Sequence, residues 1–280
     1  MTFILQPAPR AFLLDLDGVF YDDTRPIRGG PEAVHHLRAR GVPYRFVTNT
    51  TSKSRAALAR KLQSFGIPAE ARDIFCPPFA AAMFLHQHNA SAALFVADDA
   101  RSEFEGVRED SAHPDYVVLG DLGDGWTFAR LNQALRYVLN GAQLAALGMS
   151  RYWHADDGPR LDVGPIASAL AFATGQPPIV LGKPAADFFR LAAGDLGVEP
   201  EQCVMLGDDI VTDIGGAQAV GMRGLLVRTG KFRPPDLDGG VTPDLILDSI
   251  ADLLEVLSTK NTTPGAPPIL LWRVGDGEAH

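Results

Sequence analysis

The sequence predicts an α/β protein built on a doubly wound, Rossmann-like parallel sheet that is interrupted by a second, inserted α/β domain. Three observations carry this. The apolar run Ala11-Phe12-Leu13-Leu14 is short and has no polar alternation, which is how a strand buried on both faces reads. Strand-like and helix-like segments alternate near the N-terminus, and the same rhythm returns from residue 179 onward. Between the two stretches lies a block, 76–179, with strands and helices of its own, bracketed by Pro77-Pro78 and Pro177-Pro178.

Taken in order, the first strand ends at Asp15. A helix follows over 31–40, with Pro31 near its start and Gly41 just past its end. Tyr44-Arg45-Phe46-Val47 reads as the second strand and stops at Thr48, and a helix over 54–65 is closed by Gly66. Within the inserted block, strands are predicted at 93–96 and 116–119 and helices at 79–86 and 129–139. Ile179-Val180-Leu181 then reads as a strand of the main sheet, followed by a helix over 185–196. Cys203-Val204-Met205-Leu206 is the next strand, with a helix over 213–220 and a further strand at Gly224-Leu225-Leu226-Val227. The expected organisation is therefore a core formed by 1–75 and 180–258, the insert 76–179, and a Pro-, Gly- and Thr-rich tail, 259–280, expected to be poorly ordered.

Composition narrows the class. Hydrophobic residues make up 46% and charged residues 21%, ordinary globular usage that excludes a disordered or fibrous chain. No apolar run approaches the ~20 residues of a membrane span, and the first residues lack the pattern of a signal peptide. Cys76 and Cys203 lie far apart with no CxxC, which speaks against a disulfide framework or a cysteine zinc site and for a reducing cytoplasm. A net charge of −9 opposes binding to a phosphate backbone, so no nucleic-acid partner is expected. The insert holds six arginines, no lysine and twelve acidic residues, which does not suit a basic lid over a polyanion.

Four polar sites follow predicted strands, where the carboxyl-end loops of an open parallel sheet gather along one edge. The first is Asp15-Leu16-Asp17-Gly18-Val19, two carboxylates that would be costly to bury without a cation. On its own, a pair at this spacing also fits a capping aspartate beside a surface one. The second is Thr48-Asn49-Thr50-Thr51-Ser52, hydroxyls and an amide that suit either a phosphate site or an ordinary helix cap. The third is Lys183 in Gly182-Lys183-Pro184, which as a single residue also fits a solvated loop. The fourth is Gly207-Asp208-Asp209 with Asp213, whose crowded hard oxygens and lack of nearby His or Cys point to Mg²⁺. Together, and in this order, the sites supply a nucleophile, phosphate donors, a cation and a metal site. Those are the parts of phosphoryl transfer through an aspartyl-phosphate.

These residues resemble, in order, the four motifs of the haloacid-dehalogenase superfamily of phosphatases. The insert lies between the second and third motifs, as in the branch related to 4-nitrophenylphosphatase and pyridoxal phosphatase. The segments Arg101-Ser102-Glu103-Phe104, Leu161-Asp162-Val163-Gly164-Pro165 and Arg228-Thr229-Gly230-Lys231-Phe232-Arg233-Pro234 resemble a subgroup acting on P–N bonds (phospholysine, phosphohistidine, imidodiphosphate) and pyrophosphate. The resemblance covers 10–258. It implies a haloacid-dehalogenase-type core with an α/β cap, a small phosphorylated substrate and Mg²⁺; a homodimer through the cap is kept as an expectation. Carried over by position, Asp15 would be the nucleophile. Asp17 would be the acid and then the base, and its carbonyl a metal ligand. Thr48 and Asn49 would hold the phosphoryl oxygens, and Lys183 would neutralise Asp15 and the phosphate. Asp15 and Asp208 would bind Mg²⁺, supported by Asp209 and Asp213.

One departure bears on specificity. The pyridoxal- and nitrophenyl-phosphatase relatives place Thr-Asn-x-Asp where this chain has Ser150-Arg151-Tyr152-Trp153. Arg151, with Tyr152 and Trp153, would then face the substrate and offer a planar cation to a second anionic group. Packing within the cap is the alternative role for the three. His86 and His88 point to different faces of a helix and read as surface residues. A phosphatase of small metabolites (pyridoxal phosphate, a sugar phosphate or a nucleotide) is the alternative activity. A non-catalytic phospho-aspartate signalling module is opposed by the insert and by Asp17, and a dinucleotide fold by the lack of GxGxxG after the first strand.

Overall fold

The structure is a computed structural model and describes residues 5, 7–155 and 157–258. The expectation for the tail, 259–280, falls outside the described residues. The first part of the chain forms β1 (Ala11–Asp15), a hairpin of β2 (Tyr21–Asp22) and β3 (Arg25–Pro26), α1 (Gly30–Ala39), β4 (Tyr44–Val47), α2 (Arg55–Ser64) and β5 (Ile74–Phe75). The middle part forms α3 (Pro77–Gln87), β6 (Ser91–Phe95), α4 (Asp98–Arg101), β7 (Arg108–Glu109), β8 (Tyr116–Leu119), α5 (Phe128–Leu139) and β9 (Gln143–Ala146). It continues with the hairpin β10 (Tyr152–Ala155) and β11 (Gly158–Leu161), then α6 (Val163–Thr174) and β12 (Ile179–Val180). The last part forms α7 (Ala186–Asp195), β13 (Cys203–Gly207), α8 (Gly216–Gln218), β14 (Arg223–Val227), β15 (Leu245–Leu247) and α9 (Leu253–Ser258).

Two parallel sheets result. The first runs β15-β14-β13-β1-β4-β5, and the second β12-β9-β8-β6-β7. Every residue of β1 is buried, as a central strand covered by helices on both faces requires. The helices begin and end where side chains can close their termini. Ser54 Oγ accepts from the Ala57 N–H at the start of α2, and α1 starts behind Gly29, which adopts φ 94°. Leu58, Ala59 and Leu62 then give α2 its buried stripe.

Two expectations are corrected here. Ile179–Val180 is not a strand of the main sheet: it pairs with β9 in the second sheet, and Leu181 still donates its N–H to the Ala146 carbonyl. A short apolar run specifies burial but not which sheet it joins. The helix predicted over 213–220 is instead a wide π-helical turn, Ile210–Gly215, leading into the single turn of α8. Its early start has a clear cause, because the Asp209 carboxylate caps it by accepting from the N–H groups of Val211 and Thr212.

The two sheets are joined by apolar packing and by a polar latch. One continuous core runs from Leu13, Phe75 and Phe188 of the first layer to Val118 and Leu147 of the second. At the latch, Ser54 donates through both its N–H and its hydroxyl to Asp99 at 3.0 Å. Arg55 donates from its backbone at 2.8 Å and from Nε at 2.5 Å to the two oxygens of Glu103, and its guanidinium lies 3.6 Å from the Phe79 ring centre. Asp121 N–H donates to Thr51 Oγ1 at 3.2 Å. Loops following β6 and β8 thus meet the loop following β4, and carboxylates from the insert occupy the positive amino end of α2. The Glu103 side chain is 7% exposed and serves two donors, so Glu103→Ala should lower stability by about 1.5–3 kcal/mol, the scale of hydrogen bonds to a charged group. Urea unfolding of the variant against the parent measures this, and an unchanged midpoint would mean that the latch contributes nothing.

Candidate active site

The site lies where three adjacent strands end together. Asp15 is paired with Val47, one residue before Thr48, and Leu14 with Leu206, two residues before Asp208. The centre of the cluster is Lys183. Its ammonium donates to Asp15 Oδ1 at 2.6 Å and to Asp213 Oδ1 at 2.7 Å, with the lysine side chain only 3% exposed. Burial alone would lower the lysine pKa, but the two flanking carboxylates override it and hold the ammonium above its ordinary value.

The carboxylates are raised as well, but by burial. Burial pushes Asp15 up to about 6 despite the attraction of Lys183, with the charge of Asp208 adding to the rise. Burial likewise raises Asp208 to about 6 and Asp213 to about 7. Asp15, Asp208 and Asp213 present oxygens within 4.8 Å of one another, and two of these three buried acids, Asp15 and Asp213, contact Lys183 directly. Asp208 Oδ2 accepts the Lys231 N–H at 2.7 Å, while Asp208 Oδ1 is buried without a hydrogen-bond partner. An orphaned buried oxygen beside two further hard carboxylates fits a divalent cation of the Mg²⁺ type.

Two loops close tightly over Asp208. A Cβ on Gly18 would lie 2.0 Å from Asp208 Oδ2 and one on Gly230 2.1 Å from it, and both residues adopt positive φ. Thr229 Oγ1 donates to the Gly18 carbonyl at 2.5 Å and ties the loops together. Residues 229–231 therefore build part of the site. The residues alone give no signal for them, and they enter the sequence reading only through the resemblance.

The other site residues fall as follows. Asp17 is exposed beyond β1, and its Oδ2 accepts from the Tyr21 hydroxyl at 3.4 Å. Thr48 is 2% exposed, and its Oγ1 accepts the Thr50 N–H at 3.1 Å. The Asn49 side chain is engaged with the backbone of Lys183, accepting its N–H at 2.8 Å and donating to its carbonyl at 3.0 Å. Asp209 and Asp213, left undivided by the sequence, separate clearly. Asp213 joins the buried cluster, whereas Asp209 caps the following turn and is held below its ordinary pKa by those N–H groups, against the opposing effect of burial. Arg151, Tyr152 and Trp153 lie at the start of the exposed β10–β11 hairpin, Tyr152 at 55% and Trp153 at 40% exposure. Among the described residues no hydrogen bond or ion pair joins these three to the carboxylate cluster. A cavity of about 670 Å³ opens elsewhere, beside Phe95, Arg101, Arg130 and Tyr137 of the second sheet. None of the cluster residues lines it, so chemistry rather than volume locates the site.

Comparison with known proteins agrees with this geometry. Residues 12–108 match the profile of the haloacid dehalogenase-like hydrolases, and residues 180–253 match a second profile of the same kind. The chain is 40% identical to the phospholysine phosphohistidine inorganic pyrophosphate phosphatase of Bos taurus over 255 residues, covering 89% of this chain and 94% of that protein. It is also 40% identical over 231 residues to haloacid dehalogenase-like hydrolase domain-containing protein 2 of the same species, covering 82% and 88%. Among solved structures, the p-nitrophenyl phosphatase from Archaeoglobus fulgidus superposes with a TM-score of 0.82 at 30% identity, covering 90% of this chain and all of that one.

The raised carboxylates set a pH dependence whose sign follows from linkage. An acid with a folded pKa above its unfolded value binds protons in the folded state first, so stability rises as pH falls through that window. Asp208, moved from 3.8 to about 6, withdraws about 3 kcal/mol from the metal-free protein above pH 6. The acids held below 3.8, such as Asp99 and Asp209, act only at lower pH. In the presence of chelator, the urea midpoint should therefore climb as pH is lowered from about 7.5 to 5, a window set by these raised values. A midpoint that falls over that range would contradict the burial of these acids.

Proposed function

The chain belongs to the haloacid dehalogenase-like hydrolases and is a phosphatase, and on that footing we propose that it is Mg²⁺-dependent and works through a phosphorylated Asp15. The observation that carries this reading is the buried Lys183 ammonium bridging Asp15 and Asp213 beside the unpartnered oxygen of Asp208. Asp15 and Asp208 would hold the metal, with the Asp17 carbonyl as a further ligand and Asp213 in support. Bound there, the cation would neutralise the acidic cluster and polarise the phosphoryl oxygens.

In this reading Asp15 attacks phosphorus as the bond to the leaving group breaks, and Asp17 gives that group its proton. Asp17 then takes a proton from water, which attacks the phospho-aspartate and releases phosphate. The exposure of Asp17 suits a residue that must meet both leaving group and solvent. Lys183 would hold Asp15 ionised against its burial, and Thr48 would donate to the phosphoryl oxygens. A division into core (1–75 and 180–258) and cap (76–179) belongs to the same proposal, and the two separate sheets support it.

For the substrate, the likeness to phospholysine phosphohistidine inorganic pyrophosphate phosphatases favours a P–N bond or pyrophosphate. The structural likeness to p-nitrophenyl phosphatases supports a small-metabolite monoester as the second reading. Exposed Phe128, Leu139, Leu161 and Phe172 on α5, α6 and β11 support a homodimer through the cap. Both cysteines are free and buried, in keeping with a reducing, cytoplasmic setting.

Asp15→Asn preserves shape and removes the nucleophile, so hydrolysis of 4-nitrophenyl phosphate should fall by several orders of magnitude with the fold intact. Chelation should abolish activity, Mg²⁺ should restore it, and Ca²⁺, with its looser coordination, should not. Near-parental rates in the variant, or full activity in Ca²⁺, would refute the reading. For Arg151→Ala, loss of a charge-assisted contact worth about 1.5–3 kcal/mol predicts a drop of roughly one to two decades in kcat/KM with pyrophosphate or imidodiphosphate. With 4-nitrophenyl phosphate the change should be small. Equal losses on all substrates would instead make Arg151 structural.

A further inference from the structure

The way Lys183 reaches the site sets a problem that the fold must solve. Two acids of the cluster are carried by strand ends of the main sheet, Asp15 at the end of β1 and Asp208 just after β13, and Asp213 lies in the turn that follows. Lys183 is carried by none of these. It follows β12, which pairs with β9 in the second sheet, and at Leu181 the chain is still bonded to Ala146 of that sheet. At Gly182 the backbone is squeezed between the two parts, since a Cβ there would lie 2.5 Å from the Leu147 carbonyl oxygen and 3.2 Å from Asn49 Oδ1. The lysine therefore arrives on a crossover, and no ladder of the main sheet fixes its backbone beside Asp15.

What does meet that backbone is the Asn49 side chain. Its carbonyl oxygen accepts the Lys183 N–H and its amide nitrogen donates to the Lys183 carbonyl, at 2.8 and 3.0 Å. One planar amide thus makes both bonds that a neighbouring strand would have made, and it does so from the residue after Thr48 at the end of β4. We propose that Asn49 is a positioning residue: it registers the Lys183 backbone to the main sheet, so that the ammonium falls between Asp15 and Asp213. This differs from the direct grip on phosphoryl oxygens expected of it by resemblance, and leaves that role to Thr48. The proposal rests on the reading of Asp15 and Lys183 given above.

The geometry also shows why the substitution should matter. An ammonium at 2.6 and 2.7 Å from two buried oxygens has no slack, and a displacement of about 1 Å can cost about 100-fold in rate. The test is a double-mutant cycle on the full chain, with kcat/KM for 4-nitrophenyl phosphate measured for the parent, Asn49→Ala, Lys183→Met and the double variant. Asn49→Ala alone should lose about 10–100-fold, with its melting temperature recorded to separate folding from rate. In the Lys183→Met background the same change should cost less than about 2-fold, because the residue acts through the lysine.

Should turnover of Lys183→Met fall below detection, calorimetric binding of inorganic phosphate with Mg²⁺ to the same four proteins supplies the cycle. Asn49→Ser replaces Asn49→Ala if the latter does not fold. Equal losses in both backgrounds would assign Asn49 to the substrate itself and overturn the proposal. So would an unchanged rate, or a lowered melting temperature with rate intact. Failure of the Asp15 reading would show separately, as activity surviving in Asp15→Asn.

Discussion

Everything at this strand edge depends on one buried ammonium. Lys183 sits with 3% exposure between two carboxylates that are themselves 9% and 0% exposed, and a third lies within 4.8 Å of both. Burying ions is costly, and the attraction among them offsets the cost only when geometry and hydrogen bonding are nearly complete. Here the balance is deliberately short. One buried ammonium faces three acids, with the Lys231 charge acting from a more exposed position; the acids are pushed up to about 6 and 7, and Asp208 keeps an oxygen without a partner. Such a cluster is stable only if it takes up protons or positive charge, and that demand makes the site receptive to a cation.

The sheet explains why these groups can be brought so close. The order β13-β1-β4 makes Asp208, Asp15 and Thr48 neighbours, and their strands end almost in register. Parallel pairing thereby places three chemically different side chains on one edge without any loop having to travel far. Where loops do approach, side chains have been removed: Gly18 and Gly230 leave no room for a Cβ against Asp208. The lysine is the exception, delivered from the second sheet and tied in by a side-chain amide.

Much of this was legible in the residues. Uninterrupted apolar runs identify β1 and β13 because a strand buried on both faces has no polar period to display, and Asp15 and Asp208, just past those runs, join the cluster. Two things were hidden. Pairing partners are not written into a two-residue strand, so Ile179–Val180 could not be assigned to the second sheet from its own residues. Division of labour among adjacent acids was equally silent, because Asp209 and Asp213 differ only in what surrounds them: backbone N–H groups for one, the lysine for the other. The turn at 210–215 was missed for the same reason, since its start is set by the capping carboxylate rather than by helix propensity.

The crossover position of Lys183 ties chemistry to the placement of the insert. A cap attached by flexible linkers could swing without disturbing Asp15, but here the lysine that contacts Asp15 lies two residues beyond a bond to the second sheet. Any large rotation of that sheet would draw the lysine away from Asp15 and Asp213 and leave two buried acids unpaired. The contacts of Ser54 and Arg55 with Asp99 and Glu103, at the far side of the same strand-end loop, oppose that rotation. The Asn49 amide and the latch therefore bracket the segment 48–55 from both ends, and Thr48 is held in the same frame as the lysine. The charge balance at Asp15 is thus mechanically joined to the placement of the second sheet, because Lys183 is delivered from that sheet and its carboxylate partners from the other.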